Sequence, residues 1–175
     1  RRFPFLATVS GSRFLSSVLL RNPQMLEPLF LRDGFRVRKT LATKAHELEE
    51  RTRDATKTAD LEKALRIYKE QEYLRIGCRD LCEEAGVIEV MAELSDLARA
   101  CTDAAVQFHW KLLAAKHGEP ETGSDGIGFV VLGMGKVSGR ELNFSSDLDL
   151  IFLRGPEEGR TPGPASVTVV RFYET

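Results

Sequence analysis

"GMGKVSGRELNFSSDLDLIFL", from Gly133 to Leu153, is the stretch on which the reading of this chain turns. It holds, in one compact order, a glycine turn carrying Lys136, a pair of serines, Asp147 and Asp149 one residue apart, and an apolar run. In a strand, residues two apart share a face. The spacing predicts Asp147 and Asp149 on one side, with Leu148, Leu150 and Phe152 on the other and directed into a core. Two neighbouring carboxylates repel unless a cation lies between them or one keeps its proton. A pair at the mouth of a strand, open to solvent on one side, suits Mg²⁺, with Mn²⁺ as a substitute. That hard ion takes oxygen ligands, keeps some waters and is commonly held by carboxylates together with a substrate phosphate. In two-metal chemistry, such carboxylates hold ions that stabilise the attacking and leaving oxygens.

The turn leaves a short β-branched strand, "GFVVLG". Gly133, Gly135 and Gly139 permit close backbone approach, their N–H groups can cradle a phosphate, and Lys136 adds a cation. Ser138, Ser145 and Ser146 supply hydroxyls beside it. Two commoner phosphate loops are excluded. A Walker A loop needs Ser or Thr directly after Gly-Lys, where Val137 stands, and its earlier glycine is replaced by Val130. A dinucleotide-binding GxGxxG fails at Ser138, and the next strand follows too soon for a crossover helix. An isolated Asp-Leu-Asp on a strand edge is usually solvated charge, and a glycine-rich turn is usually only a turn. The functional reading rests on their occurring together, in order.

Upstream of this block the period is helical. "SRFLSSVLL" is stopped by "RNP", because Pro23 pushes Asn22 out of the helical region. The pattern then predicts a charged helix from Phe35 to Arg53, a second with Leu61, Leu65, Tyr68, Leu74, Cys78 and Leu81 inward, and a third from Val87 to about Lys116. Arg75 and Arg79, one turn apart, either grip an anion or form a solvated face, the commoner case. "HGEPETGSDGIG" breaks the pattern. After it come the two strands, a polar loop "RGPEEGRTPGPAS" expected to be mobile, and "VTVVRFYET", read as the first turns of a helix. The fold class is therefore α+β: a helical bundle over 1–117, a linker over 118–127, and the opening of a second domain over 128–175. Two strands make a poor sheet by themselves, and the chain opens at Arg1 without a methionine. Both features read as a fragment of a longer protein.

The bulk numbers narrow the classes. Apolar residues make up 42% and charged residues 29% of the 175, a globular balance. Lys and Arg number 25 against 26 Asp and Glu, a net charge of -1 that gives no pull toward nucleic acid or membrane. No apolar run reaches the length of a membrane span. Three cysteines, Cys78, Cys82 and Cys101, without a secretory signal suggest reduced thiols and a cytoplasmic location. Cys78 and Cys82 lack a second ligand pair at zinc-like spacing and read as buried helix-face thiols. His46, His109 and His117 read as structural or surface residues.

Glycine turn, short spacer and paired acids opening a strand form a pattern that resembles the polymerase-β-like nucleotidyltransferases. The block is more specifically similar to the signature of the bifunctional glutamine synthetase adenylyltransferase/adenylyl-removing enzymes, which typically read Gly-Met-Gly-Lys-Leu-Gly-Gly, Glu-Leu-Asn, Ser-Ser-Asp-Ile-Asp-Leu-Ile. "SRFLSSVLLRNPQMLEPLF" and "LRIGCRDL" also look like segments upstream of the family's N-terminal catalytic domain. "ELNFSSD", with Asn143 and two serines, resembles the adenylyl-removing half. The resemblance implies that Asp147 and Asp149 ligate metal, and that Gly133, Gly135, Lys136, Ser138, Gly139, Ser145 and Ser146 line the nucleotide and phosphate site. It further implies phosphorolysis of adenylyl-tyrosine on glutamine synthetase to give ADP, ATP use by the other half, and a PII-type nitrogen regulatory protein as partner. The family's third metal-binding aspartate falls beyond Thr175, and Val137–Ser138 replaces the usual Leu-Gly. Another nucleotidyltransferase, uridylyl- or small-molecule adenylyl-transferring, shares the aspartate pair. A non-catalytic helical docking module with a nucleotidyltransferase remnant is the reading from another class.

Overall fold

The computed structural model describes residues 4–120, 128–155 and 158–175. Two short helices open it, α1 (Pro4–Gly11) and α2 (Arg13–Arg21). Ser12 caps α2 by accepting the Leu15 N–H, and the chain leaves α2 at Asn22 ahead of Pro23, as the pre-proline restriction requires. Three longer helices follow: α3 (Leu41–Thr52), α4 (Thr58–Leu81) and α5 (Val87–His117). Strands β1 (Phe129–Gly133) and β2 (Leu150–Arg154) pair antiparallel, and α6 (Val169–Glu174) ends the chain. The α+β class is as expected. No helix among the described residues is long and apolar enough to cross a membrane.

The helix expected over 35–53 begins later, at Leu41, where the Thr40 hydroxyl accepts the Thr43 N–H. Residues 37–39 do not continue it backwards because polar backbone groups of Val37 and Lys39 are committed elsewhere. The Val37 carbonyl accepts from Arg75 Nη1 at 2.6 Å, and the Lys39 N–H donates to Glu93 Oε1 at 3.0 Å. These contacts lead to the least foreseeable part of the core. Arg75 and Arg79 neither face solvent nor grip a partner; both are buried, in a network with Glu72 and Glu93. Arg75 Nη2 bridges Glu72 at 2.8 Å and Glu93 at 2.9 Å, and Arg79 reaches Glu93 at 2.5 Å and Glu89 at 2.6 Å. Lys39 closes on Glu47 and Glu72, and the fully buried Lys44 lies 3.8 Å from Glu93. Burial pushes the Glu72 and Glu93 carboxyls up, but the hydrogen bonds and charge of Arg75, with the lysines, outweigh it and hold both below their ordinary value.

Apolar packing surrounds this network. Leu48, Tyr68, Leu97 and Ala100 join α3 to the α4–α5 pair, and Leu15, Val18, Leu74 and Cys78 seat α2 on α4. Gly77 permits that seat, since a Cβ there would stand 2.6 Å from Leu15 Cδ1. At the far end, Trp110 of α5 meets Phe172 of α6 edge-on. The chain returns to α5 through the clasp of Gly163, whose N–H donates to the His117 carbonyl at 2.7 Å. His117 Nδ1 also contacts the Ala165 carbonyl at 2.5 Å. Of the linker expected over 118–127, residues 121–127 lie outside the described residues, as do 156–157 of the loop expected to be mobile.

Breaking a buried ion network by removing one charge typically costs about 3–5 kcal/mol. Arg75→Met is therefore expected to lower the urea unfolding free energy on that scale, whereas Arg99→Met, in an exposed pair with Asp103, changes it by less than about 1 kcal/mol. Because Glu72 and Glu93 are depressed in the fold, their stabilisation is present above about pH 4.5 and is lost as pH falls through the lower folded values. Unfolding midpoints taken from pH 7 down to pH 3 (about 4 units apart) check this. The wild type should fall steeply at the acid end, and Glu93→Gln should be less stable throughout with a shallower acid slope.

Candidate active site

The register of the hairpin builds the site. Gly133 pairs with Leu150, and the Met134 N–H donates to the Asp149 carbonyl at 2.8 Å. The glycine turn therefore leaves β1 directly beside the residue that enters β2. The Oδ2 of Asp149 lies 3.7 Å from where a Cβ on Gly135 would stand. Two features that are fourteen residues apart in the sequence are neighbours in space.

The turn itself is a run of overlapping hydrogen-bonded turns over residues 135–140. Val137 N–H donates to the Met134 carbonyl, Gly139 to Gly135, Arg140 to Val137 and Glu141 to Lys136. Gly135 starts the run in the left-handed region at φ 57°. Gly133 is needed because a Cβ there would meet Val137 Cγ1 at 2.4 Å. Among the described residues, the N–H groups of Gly135, Lys136 and Ser138 have no hydrogen-bond partner, so the turn presents backbone donors of the kind that make an anion-binding concavity. Lys136 is exposed, with no ion-pair partner among the described residues. The replacement of Leu-Gly by Val137–Ser138 brings no backbone strain. The left-handed non-glycine in this turn is Arg140, at φ 56°, and its guanidinium pairs with Asp96 of α5 at 2.8 Å.

The aspartate loop is held differently. Strand β2 starts at Leu150 rather than at Asp147, because residues 143–146 are bonded among themselves. The Asn143 N–H donates to Ser146 Oγ at 3.0 Å, the Ser145 N–H to Asn143 Oδ1 at 2.9 Å, and the Ser146 N–H to the Asn143 carbonyl at 3.1 Å. Ser146 Oγ thus accepts within the loop and keeps its proton for an outside acceptor, while Ser145 is exposed. Asp147 and Asp149 are both exposed, and neither has an ion-pair partner among the described residues. The intervening apolar residues do not reach a closed core as expected. Leu148 and Leu150, with Val131 and Val137, line a cleft of about 400 Å³ against α5, and Phe152 remains 60% exposed.

An Asp149 carboxylate beside the turn's N–H donors, with Asp147 two residues before it and Lys136 in the turn, fits a divalent ion that shares a phosphate, since Mg²⁺ is usually held by one or two carboxylates plus substrate oxygens. Among the described residues no cluster of three or more acidic, His or Cys side chains forms a complete metal cage. The three cysteines are unbridged, and burial pushes the thiols of Cys78 and Cys101 up to about 11, away from reactivity. Sequence reasoning did not give Asn143 a place in the site, although its side chain organises the loop; an Asn two residues before a Ser, where an Asx turn forms, was the available signal.

The family model described as glutamate-ammonia ligase adenylyltransferase matches residues 5–175. The chain is also similar to the bifunctional glutamine synthetase adenylyltransferase/adenylyl-removing enzyme of Thioalkalivibrio sulfidiphilus (strain HL-EbGR7), with 41% identity over 166 residues. That match covers 87% of this chain and 16% of the relative's length.

Gly135 and Gly139 of the turn should respond differently to a methyl group. Gly135→Ala forces an L-residue into the left-handed region and is expected to lower stability by about 1–2 kcal/mol. Gly139→Ala meets only the flexible Glu141 side chain, at 3.3 Å, and is expected to change stability by less than about 0.5 kcal/mol. Paired chemical denaturation curves decide the matter, and equal losses would mean that the turn is not built on Gly135.

Proposed function

Because this chain belongs to the glutamate-ammonia ligase adenylyltransferase family, we propose that it forms part of the adenylyl-removing site of a longer bifunctional nucleotidyltransferase. Its helical part over 1–117 would support a partial catalytic domain over 128–175. The observation that carries this reading is the placement of Gly135 against Asp149 by the strand register, which sets the turn, whose N–H groups have no partner among the described residues, beside one of the two carboxylates. The protein substrate is glutamine synthetase carrying AMP on a tyrosine. Phosphate attacks the adenylyl phosphorus, the bond to the tyrosine oxygen breaks, and ADP leaves while the tyrosine regains its proton.

Each residue has a task that follows from its surroundings. The N–H groups of Gly135, Lys136 and Ser138 donate to oxygens of the adenylyl phosphate and fix it for in-line attack. Lys136 and the Ser146 hydroxyl offset the gathering negative charge. Gly133 and Gly139 keep the turn compact, and Ser145, tied through its N–H to Asn143, leaves its hydroxyl to the same phosphate. Asp147 and Asp149 would hold Mg²⁺ or Mn²⁺, which when bound lessens repulsion between the phosphates and stabilises the departing oxygen. Asn143, with the double serine, favours the removing half over the transferring half. A PII-type regulatory protein as partner, ATP use in the other half and a cytoplasmic setting follow from the resemblance alone and belong to the longer protein.

Asp149→Asn keeps the side chain's shape and removes its charge. In the full-length enzyme it is expected to slow ADP release from adenylylated glutamine synthetase at least roughly a hundredfold, the scale of losing one electrostatic stabiliser. AMP attachment to the unmodified synthetase should be retained. Loss of attachment with removal intact would assign the block to the other half of the enzyme.

A further inference from the structure

Between residues 142 and 149, Leu142 and Phe144 both pack on the cluster that Ile76, Val90 and Leu94 form on α4 and α5. Leu142 is buried among Ile76, Val90 and Leu94, and its N–H reaches Ser95 Oγ at 3.4 Å. Two residues on, Phe144 stands edge-on to Tyr73 of α4, with centroids 5.4 Å apart and planes at 89°. Tyr73 is itself fixed on other sides: Phe14 of α2 meets it at 6.1 Å, and the Lys69 ammonium lies 5.2 Å from its ring centroid. Leu142 and Phe144 thus point inward as alternate residues, and Asn143 between them is exposed. Asn143 in turn bonds to Ser145 and Ser146, which lead into Asp147.

We propose that Tyr73 is a positioning residue for the Asp147 and Asp149 carboxylates: its ring, through Phe144, fixes where the aspartate loop leaves the helical bundle. This rests on the metal-holding role of the two aspartates proposed above. The mechanical path runs from α4 through two aromatic rings to the Asn143 turn, then to the acids. Leu142 anchors the loop's start to the core, but the direction in which the loop leaves that anchor is set one residue pair later, by Phe144. An edge-on aromatic pair adds attraction beyond simple burial and also restricts ring orientation. The restraint therefore acts on angle as well as on distance. The phenol hydroxyl is not needed for it.

The test uses the full-length enzyme with Tyr73→Leu, Tyr73→Phe and Phe144→Leu. Amide hydrogen exchange reads the loop directly at Ser145 and Ser146, whose N–H groups bond to Asn143. Tyr73→Leu and Phe144→Leu are expected to speed exchange at both amides about fivefold or more, the scale of one lost aromatic pair. Tyr73→Phe should behave as the wild type, and amides within α5 should be unchanged in all three. Titration of Mn²⁺ in the presence of ADP should show weaker binding in the two leucine variants and wild-type binding in Tyr73→Phe. Unchanged exchange at Ser145 and Ser146 in both leucine variants would overturn the proposal, as would a loss in Tyr73→Phe equal to that in Tyr73→Leu. A wild type that binds no Mn²⁺ with ADP would overturn the metal role of the aspartates instead, while the exchange comparison still decides whether Tyr73 holds the loop.

Discussion

Glu93 is the constraint on which the arrangement depends. One buried carboxylate of α5 receives Arg75 and Arg79 from α4, lies near Lys44 of α3, and accepts the backbone N–H of Lys39 from the segment leading into α3. Coulomb attraction and hydrogen bonds converge on this one group, and burial there is tolerable only because so many donors meet it. Apolar contacts favour packing of the three helices in any register that hides Leu and Ala. The directional bonds to Glu93 discriminate among those registers, because a shift of one residue would strand several charges at once.

From that fixed pair of helices the site follows in two steps. Leu142 drops between α4 and α5, and Asp96 of α5 takes Arg140, so both ends of the segment 140–144 are set by the bundle. The hairpin then brings the other half: strand pairing places Met134 on Asp149 and carries Gly135 to its side. Neither half alone brings the donors to the acids. The bundle supplies location, and the two-stranded sheet supplies proximity.

Sequence pattern made the glycine–aspartate block, the strand pair, α4, α5 and the final helix legible, because each has a local signature of periodicity, β-branching or capping. The start of α3 was not legible. Thr40 caps it through its own side chain, but the reason that residues 37–39 stay extended lies in Arg75 and Glu93, thirty-eight and fifty-four residues away. Arg75 and Arg79 were misplaced for the same reason, since spacing on a helix reports which residues share a face and not whether that face meets counter-charges. Within the block, the return of the chain at Asp149 to the side of the turn follows from the two strands and the short connection between them. The strand's late start was not legible, because it depends on the bonds that Asn143 makes with Ser145 and Ser146.

The clasp at Gly163 also bears on the denatured chain. A Cβ at this position would fall 2.2 Å from the His117 carbonyl carbon, so the native contact is open to glycine alone, ordinarily the residue with most conformational freedom to lose. Here that freedom is already curtailed, because Pro162 and Pro164 flank it. The ring of Pro162 fixes its own φ, and Pro164 narrows the backbone of the residue before it. The triplet therefore combines the smallest side chain with a stiffened surrounding. Joining this segment to the end of α5 removes less entropy from the unfolded ensemble than a free glycine hinge would require.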